Sequence, residues 1–362
     1  MTVMKILLLN NYDLRRITEQ RQEEGNDAPA QHLWGYHLLQ DHGIDADILT
    51  FEKHAWLKKI GDKLKLFGDL DQQWRVLRQA KNYDTIYSAQ YLTTPLLAFM
   101  RKLGLLNTPI VAIGYQAPKQ VSTLWKFYVR NFLGGNDHIL CLSQALADDL
   151  VAFGVPAHKI SVIGWGVDMK YYTPADHQTP QQPYMFSAGK THRDYETLLS
   201  AFHGLNANLK ICGAGSLKTD EPGLPFGHNI EVIETMIGWR DFIENFRHAA
   251  AVAIPLNIDN IRLKNAIGLT AVTEAMAVGK PIIMTRNDYI GIDVEKEGIG
   301  YIVESGDVEG WKSAVRNLMD DPEKIASMGQ RARKLAEEKY NIDQYSNDLA
   351  NALKKTSAIS KS

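Results

Sequence analysis

The segment NAIGLTAVTEAMAVGKPIIMT, residues 265–285, predicts a helix that leads directly into a strand. Small and apolar residues recur at helical spacing over 268–278, and the tripeptide GKP at 279–281 ends the helix. The run KPIIM at 280–284 follows as a short buried strand. A helix and a strand joined so closely are typical of the repeating units of a parallel α/β sheet.

The same alternation extends over the whole chain. In the first half, strands are predicted at 5–10, 45–50, 84–88, 109–114, 138–143 and 159–164, with helices near 29–41, 55–80, 92–104, 121–133 and 143–154. In the second half, strands are predicted at 184–188, 208–212, 229–233, 251–255, 280–284 and 300–303, with helices near 194–205, 239–249, 268–278, 308–319 and 323–339. The pattern predicts two doubly wound, Rossmann-like domains.

A polar, proline-containing stretch separates the two halves. Residues 173–183, TPADHQTPQQP, contain three prolines and no aliphatic residue beyond alanine, which predicts a linker. We therefore expect an N-terminal domain at 1–172 and a C-terminal domain at 184–341, with a last helix at about 342–356 packing back on the first. Ligands of such sheets bind at the carboxyl ends of the strands, so the cleft between the domains is the expected site.

Composition narrows the function classes. The chain has 362 residues and a formal net charge of −2, so no overall positive field favours nucleic acid. Its two cysteines, Cys141 and Cys212, lie in apolar runs and are expected to be buried and reduced. The start, MTVMKILLLNNYD, is too short an apolar run for a secretory signal or a membrane span, which predicts a cytoplasmic protein.

One candidate binding segment is SAGKTHRDYETLLSAF, residues 187–202. Gly189 ends a strand and allows close backbone approach, and Lys190 and Arg193 follow before the next helix. A compact ammonium and a planar guanidinium at a strand's carboxyl end suit a diphosphate. The alternative is a pair of solvated cations in a loop.

The helix that follows Gly268 is a second candidate. Its first turn, with Leu269 and Thr270, has backbone N–H groups without helical partners and can bind an anion. Glu274 lies on an apolar face, where a ribose diol would satisfy it; the alternative is a structural glutamate bonded to nearby backbone. A weaker signal is Gly213 and Gly215 after a strand in LKICGAGS.

These segments resemble the donor-binding domain of retaining GT-B glycosyltransferases of the family 4 type. The likeness rests on Gly189-Lys190 with Arg193, on Gly213 and Gly215, on EAMAVGKP at 274–281, on IGWGVDMKYYTP at 163–174 and on the tail at 306–340. It covers about residues 135–345 closely and 1–134 more loosely.

The resemblance implies transfer of a sugar from a nucleoside diphosphate sugar, with retention of the anomeric configuration. Lys190 and Arg193 would be catalytic, and no cofactor or metal would be required. The donor would be bound by Gly189, Gly213, Asn265, Gly268, Leu269, Thr270 and Glu274. The resemblance also implies that the N-terminal domain binds the acceptor.

The chain departs from the family pattern at three places. Ala266 stands where the family has the first of two glutamates, with Lys264 and Asn265 as the nearby polar residues. Tyr115 and Gln116 replace a frequent histidine, and Asn10-Asn11 replace a glycine pair. The acceptor-side candidates are therefore Asn10, Asn11, Tyr115 and Gln116.

Two basic and aromatic stretches, 51–82 and 124–132, predict contact with an anionic membrane surface. In the first, apolar residues recur on one helical face among five lysines: Trp56, Ile60, Leu64, Phe67, Leu70, Trp74 and Leu77. The alternative is a stripe that faces the domain core. With a membrane partner, the acceptor would be a lipid-linked saccharide in cell-surface polysaccharide or glycolipid synthesis, and the protein would be peripheral on the inner face of the cell membrane.

Two other functions stay open. A GT-B sugar-nucleotide epimerase would hydrolyse or isomerise its donor rather than transfer the sugar. A nucleotide-sugar-binding protein without catalysis would explain the missing glutamate and histidine. A nicotinamide dehydrogenase is disfavoured because no glycine-rich turn follows the first strand.

Overall fold

The N-terminal half forms a parallel sheet. The computed structural model describes residues 3–23, 28–119, 122–175, 182–213, 227–233, 238–259, 261 and 263–361. The first seven strands in these ranges are β1 (Met4–Leu9), β2 (Ile44–Ile48), β3 (Thr85–Ser88), β4 (Ile110–Gly114), β5 (Gln116–Pro118), β6 (His138–Cys141) and β7 (Ile160–Val162). All but β5 join one parallel sheet in the order β2-β1-β3-β4-β6-β7.

The C-terminal half forms a second sheet of the same kind. Its strands are β8 (Tyr184–Ala188), β9 (Asn208–Cys212), β10 (Ile230–Ile233), β11 (Ala251–Ile254), β12 (Leu263–Asn265), β13 (Ile282–Thr285) and β14 (Gly300–Val303). All but β12 are parallel, in the order β10-β9-β8-β11-β13-β14. The central strands are continuous buried apolar runs because helices cover both faces of the sheets.

The α-helices mostly follow the predicted periodicity. They are α1 (Leu14–Glu23), α2 (Ala55–Lys63), α3 (Leu70–Gln79), α4 (Pro95–Lys102), α5 (Thr123–Tyr128), α6 (Gln144–Ala152), α7 (Tyr195–Phe202), α8 (Trp239–His248), α9 (Leu269–Ala277), α10 (Val308–Met319), α11 (Pro322–Lys339) and α12 (Ile342–Lys361). Helix α12 contacts β3 and β4 of the first sheet, where the hydroxyls of Tyr345 and Tyr87 lie 3.1 Å apart.

Three local predictions are wrong. The stretch between β1 and residue 29, for which no helix is predicted, contains helix α1. The helix expected at 29–41 is two 3-10 segments, Gln31–Leu33 and Tyr36–His42, because Trp34 and Gly35 both have left-handed backbone conformations (φ 52° and 79°). The helix expected at 55–80 breaks into α2, a 3-10 turn and α3.

Gly68 explains the break before α3. Its φ of +72° lies in the left-handed region, and a Cβ there would lie 2.5 Å from Cδ of Pro95. Helix α3 then begins afresh with Asp69, whose carboxylate accepts a hydrogen bond from the Gln72 N–H at 3.0 Å.

A short strand pair joins the two halves. Strands β5 and β12 are antiparallel, with Asn265 opposite Gln116, and the Ala266 N–H donates to the Tyr115 carbonyl at 3.1 Å. Beside the pair, the Lys264 ammonium donates to both carboxylate oxygens of Asp149 at 2.9 Å. This seam fixes one edge of the cleft between the sheets. Part of the expected linker, 176–181, lies outside the described residues.

Candidate active site

A cleft of about 1490 Å³ lies between the two halves. Most of the residues expected from the sequence to bind donor or acceptor line this cleft: Asn11, Tyr115, Gln116, Gly189, Lys190, Arg193, Gly213, Asn265, Gly268, Leu269, Thr270 and Glu274. Most come from turns that follow β1, β4, β8 and β9 and from the start of α9, while Gln116 and Asn265 lie on β5 and β12 and Glu274 lies further along α9. The topology therefore brings them to the carboxyl ends of both sheets, as the fold class predicts.

Lys190 and Arg193 lie together on the C-terminal wall, on the turn after β8. The Arg193 Nε donates to the Ala188 carbonyl at 3.0 Å and its Nη1 to the Thr191 carbonyl at 3.2 Å, which holds the guanidinium against the strand end. The Lys190 side chain is exposed to the cleft. The alternative of two solvated cations is therefore wrong for Arg193, whose guanidinium is bonded to the backbone, while Lys190 is exposed.

Gly189 makes this arrangement possible. Its φ is +119°, a conformation that L side chains rarely adopt, and a Cβ there would lie 2.7 Å from Nη2 of Arg193. Any side chain at this position would displace the guanidinium.

Helix α9 starts at the cleft. Gly268 precedes it with φ +95°, and the first turn, with Leu269 and Thr270, lines the cleft. Backbone N–H groups of a first turn have no partners within the helix and attract anions. This wall therefore presents two cations and a helix N-terminus to the same space.

Glu274 is buried in α9 and is bonded by the other half of the chain. Its Oε1 accepts hydrogen bonds from Nε2 of Gln31 at 3.0 Å and from the Tyr172 hydroxyl at 2.7 Å. Burial raises the pKa of Glu274 to about 7, although these two bonds act in the opposite direction. The alternative of a glutamate bonded to nearby backbone is wrong, because its partners are side chains distant in sequence.

Asn265 is the donor-binding candidate beside the position of the missing glutamate, and its hydrogen bonds limit what it can offer a ligand. Its Oδ1 accepts the Ile267 N–H at 2.7 Å, and Nδ2 of Asn287 donates to the carbonyls of Asn265 and Ile267. A carboxylate only accepts hydrogen bonds, whereas Asn265 has one oxygen that already accepts a bond within the turn and an amide nitrogen that donates. Lys264, the other polar candidate, pairs with Asp149 instead.

On the N-terminal wall, three of the four acceptor-side candidates line the cleft: Asn11, Tyr115 and Gln116. Asn10 is the exception. It is buried, its Oδ1 accepts the Asn11 N–H at 2.8 Å, and its carbonyl accepts Nε2 of Gln72. Asn10 therefore shapes the turn after β1, and the expectation that it faces the acceptor is wrong.

The sequence did not single out several aromatic residues in the cleft. The N-terminal wall contains Tyr12, His32, Trp34 and Trp165, and the C-terminal wall contains Trp239, Arg240 and Asp241 at the start of α8. Trp239 comes after a strand's carboxyl end, a position that the topology rule alone marks as a candidate. The rings of Trp239 and His32 face each other across the cleft, with centroids 6.2 Å apart.

The described ranges contain no group of three or more His, Cys, Asp or Glu that could hold a metal ion. Both cysteines are buried and unpaired, as expected, and Cys212 also lines the cleft. Gly215 lies outside the described residues. Among the residues that the structure describes, no helix is long and apolar enough to cross a bilayer.

The basic and aromatic stretches meet on one surface. The Tyr128 hydroxyl donates to the Leu66 carbonyl at 2.6 Å, and the rings of Phe67 and Phe132 are 6.0 Å apart. Apolar side chains that are more than a third exposed lie on these stretches: Trp56, Ile60, Leu64, Leu66, Phe67, Trp74, Leu124 and Phe127. The alternative of a stripe facing the core is therefore wrong for most of its members; only Leu70 and Leu77 are half-buried.

Two families match the chain by sequence. Residues 176–335 match the family described as Glycosyl transferases group 1, and residues 39–171 match Glycosyltransferase Family 4. Together the matches leave out only the two termini and residues 172–175.

Individual proteins similar in sequence to this chain are also named as glycosyltransferases. A putative colanic acid biosynthesis glycosyltransferase, WcaL of Escherichia coli K12, is 24% identical over 71% of this chain and 66% of its own length. A D-inositol 3-phosphate glycosyltransferase of Rhodococcus opacus is 22% identical over 56% of this chain and 50% of its own. The chain thus spans about half to two thirds of the length of the curated relatives it matches.

A solved structure shares the architecture over nearly the whole chain. The Anabaena protein Alr3699/HepE, crystallised with UDP and glucose, superposes with a TM-score of 0.67 at 14% identity, over 97% of this chain and 99% of that one. The likeness establishes the fold: a GT-B arrangement of two Rossmann-like domains facing across a cleft.

Proposed function

We propose that this chain, which belongs to the group 1, family 4-type glycosyltransferases, transfers a sugar from a nucleoside diphosphate sugar to a saccharide or lipid-linked saccharide in cell-surface polysaccharide or glycolipid synthesis. One observation carries the proposal. The C-terminal wall of the cleft brings Lys190, Arg193 and the N-terminus of α9 to one space, with Glu274 behind them. Such a wall suits a diphosphate flanked by a ribose.

Lys190 and Arg193 would stabilise the leaving group. As the bond between the anomeric carbon and the diphosphate oxygen breaks, the sugar becomes oxocarbenium-like and negative charge grows on the diphosphate. Fixed positive groups at that position lower the barrier because they stabilise the charge where it develops. Removal of one such contact costs about 2.7–4 kcal/mol of transition-state stabilisation.

Transfer would proceed with retention. The acceptor hydroxyl bonds to the anomeric carbon on the face that the diphosphate leaves, and its proton passes to the departing phosphate oxygen. The cations and the helix N-terminus would supply the charge stabilisation that a divalent ion supplies elsewhere. We therefore propose that activity survives EDTA; an activity lost with EDTA and restored by Mg²⁺ or Mn²⁺ would contradict this.

Donor binding gives the first test. The wild-type chain is screened by thermal shift with UDP-, GDP- and ADP-sugars, since a ligand of the folded state alone raises Tm. We expect one nucleotide class to raise Tm, and Lys190→Ala and Arg193→Ala to lower the transfer rate about a hundredfold or more. Lys334→Ala, at a side chain that is 74% exposed on α11, is the matched control and should be neutral.

The outcomes separate the alternatives. Near-normal transfer in both Lys190→Ala and Arg193→Ala would remove these residues from the mechanism. Incubation of the donor with and without an acceptor distinguishes a transferase from an epimerase, because an acceptor accelerates donor turnover by the transferase and leaves the epimerase rate unchanged. A chain that binds the donor but never turns it over would be a binding protein.

A membrane partner is the second part of the proposal. The exposed apolar side chains of α2, the following 3-10 turn and α5 lie among exposed lysines, which are Lys53, Lys59, Lys63, Lys65 and Lys126. Apolar and aromatic groups surrounded by lysines suit the interface of an anionic bilayer. We propose that this surface holds the protein on the cytoplasmic face of the membrane, where a lipid-linked acceptor would reach the cleft.

Vesicle flotation tests the membrane proposal. We expect binding at low salt to vesicles of phosphatidylcholine and phosphatidylglycerol, but not to phosphatidylcholine alone. The double variant Lys63→Gln/Lys65→Gln should weaken binding by about 30-fold, at about 1 kcal/mol for each lysine. Leu124→Gln should also weaken it, whereas Val162→Gln, an exposed valine on β7, should not. Equal binding to the anionic and the neutral vesicles would refute the proposal that the lysines bind anionic lipid.

A further inference from the structure

The N-terminal wall of the cleft is a connected group of aromatic rings. The indole N–H of Trp34 donates to the Tyr12 hydroxyl at 2.7 Å, and that hydroxyl donates to the His32 carbonyl at 2.6 Å. Trp34 also meets Trp165 edge-on, with ring centroids 4.7 Å apart at 75°. These contacts fix the rings before any ligand arrives.

The backbone of Trp34 supports the same conclusion. Its φ of 52° is uncommon for a residue with a side chain, and its carbonyl accepts the Tyr87 hydroxyl at 3.1 Å. Unfavourable backbone conformations persist where the surroundings enforce them, and they concentrate at ligand sites.

Tyr115 is one of the accessible rings of this group, whereas Trp34 and Trp165 are buried. It is half-buried, lines the cleft and stacks on Trp34 with centroids 6.4 Å apart and planes inclined by 27°. Its backbone carbonyl belongs to the seam between the halves, because it accepts the Ala266 N–H. The ring is therefore held at the junction of the two walls, where donor and acceptor must meet.

Charge is distributed unequally between the walls. The C-terminal wall has Lys190, Arg193, Arg240 and Asp241. None of the described N-terminal residues that line the cleft is Lys, Arg, Asp or Glu, and the sequence places no basic residue at 24–27 or 120–121. Burial lowers the pKa of His32 to about 4, so this imidazole is neutral near pH 7.

A phosphate on the acceptor sugar would fit this wall poorly. A phosphate removed from water needs a cation or several N–H donors to offset its lost hydration. The N-terminal wall offers instead aromatic rings and the amides of Asn11 and Gln116. The apolar C–H face of a pyranose packs on an aromatic ring, and amides bond its hydroxyls.

We propose that the acceptor sugar is an uncharged saccharide ring that stacks on Tyr115 and hydrogen-bonds to Asn11 and Gln116, and that sugar phosphates are poor acceptors. The inference rests on the proposed transferase function and narrows its substrate class. It separates this chain from relatives named for a phosphorylated acceptor, such as the D-inositol 3-phosphate glycosyltransferases.

Paired acceptors test the substrate class. Release of nucleoside diphosphate from UDP-glucose, GDP-mannose and ADP-glucose is measured with glucose or glucose 6-phosphate, mannose or mannose 6-phosphate, myo-inositol or inositol 3-phosphate, and with cellobiose and maltose. We expect neutral saccharides to stimulate release at least about tenfold more than the phosphates, since the buried charge has no partner. A preferred phosphate, or no stimulation by any neutral saccharide, overturns the proposal.

Tyr115 variants test the stacking. Tyr115→Leu should raise the acceptor KM by about tenfold and leave the donor KM unchanged, because the lost ring contacts only the acceptor. Tyr115→Phe keeps the ring and is the matched control, with an acceptor KM near that of wild type. Equal losses in both variants, or a donor KM that rises in step, would overturn the stacking role.

Different results would refute the transferase function and the inference about the acceptor. If no nucleotide sugar raises the Tm of the wild-type chain, the transferase function itself fails. If a donor binds and is turned over with a sugar phosphate, only the inference about the acceptor fails.

Discussion

Replacement of Glu274 by glutamine should stabilise the protein at high pH and not at low pH. The buried carboxyl has a pKa of about 7 in the folded chain, against an ordinary value of 4.5. At pH values between 4.5 and about 7, the carboxyl is therefore protonated in the folded state and deprotonated in the unfolded state. The stability this gives is fully present below about pH 4.5 and is lost as the pH rises to about 7.

The structure sets the size of the effect. A pKa difference from 4.5 to about 7 corresponds to about 3 kcal/mol of stability lost by the wild type over this pH range. The Glu274→Gln side chain keeps an oxygen that can accept from Gln31 and Tyr172, so only the titrating charge is removed. The free energy of unfolding of the variant, minus that of wild type, should rise by up to about 3 kcal/mol and level off above pH 7.

Denaturant unfolding followed by tryptophan fluorescence, repeated from pH 5 to pH 8.5, measures this difference. Glu338→Gln, at an exposed glutamate on α11, is the control and should give a flat difference. If the free energy of unfolding of Glu274→Gln minus that of wild type stays constant or falls as the pH rises, the assignment of a neutral buried carboxyl is refuted.

Three further substitutions test other contacts. Gly189→Ala should lower donor affinity by about tenfold or more while the fold persists, as donor titrations would show, since its Cβ would push Arg193 aside. Arg75→Ala should cost about 3–5 kcal/mol in denaturant unfolding, because it leaves the fully buried Asp71 without its cation. Lys264→Met removes an ion pair between the halves and should raise the donor KM by about threefold to tenfold. It should also increase the radius of gyration of the unliganded chain, as small-angle X-ray scattering would show.

Each of these substitutions has a matched control. Gly204→Ala also places a side chain at a positive φ, +76°, but nothing lies within 4 Å of its Cβ, so donor affinity should not change. Lys334→Ala removes an exposed ion pair and should be nearly neutral for stability. Lys312→Met is the control for Lys264→Met: it removes an ion pair within α10, away from the seam, and should leave the donor KM unchanged. A control as damaging as its partner would show that the effect is not specific to the contact.

The two-sheet fold was predictable from sequence because its strands are buried on both faces. Runs such as KILLLN and YMFSA are continuous and apolar, and the structure has strands within a residue or so of each predicted boundary there. The cleft followed from topology, since Gly189 and Gly268 stand at the carboxyl ends of strands or at a helix start.

Other features depend on contacts that no local pattern records. Strands β5 and β12 are three residues each and form only because the two halves meet, so neither stretch shows strand periodicity. Likewise, the partners of Glu274 come from positions 31 and 172, and the left-handed turn at Trp34 is enforced by its neighbours. The group of aromatic rings on the N-terminal wall of the cleft was not predicted for the same reason.

Helix α12 has a consequence for how the polypeptide folds during synthesis. Although it follows the second domain in sequence, it packs on the first, where Tyr345 meets Tyr87 and Leu349 lies against Gly35. The ribosome therefore synthesises the second domain before the helix that completes the first. The N-terminal domain therefore cannot complete its packing before the second domain has been synthesised, and it should stay open to proteases and chaperones until α12 has been made.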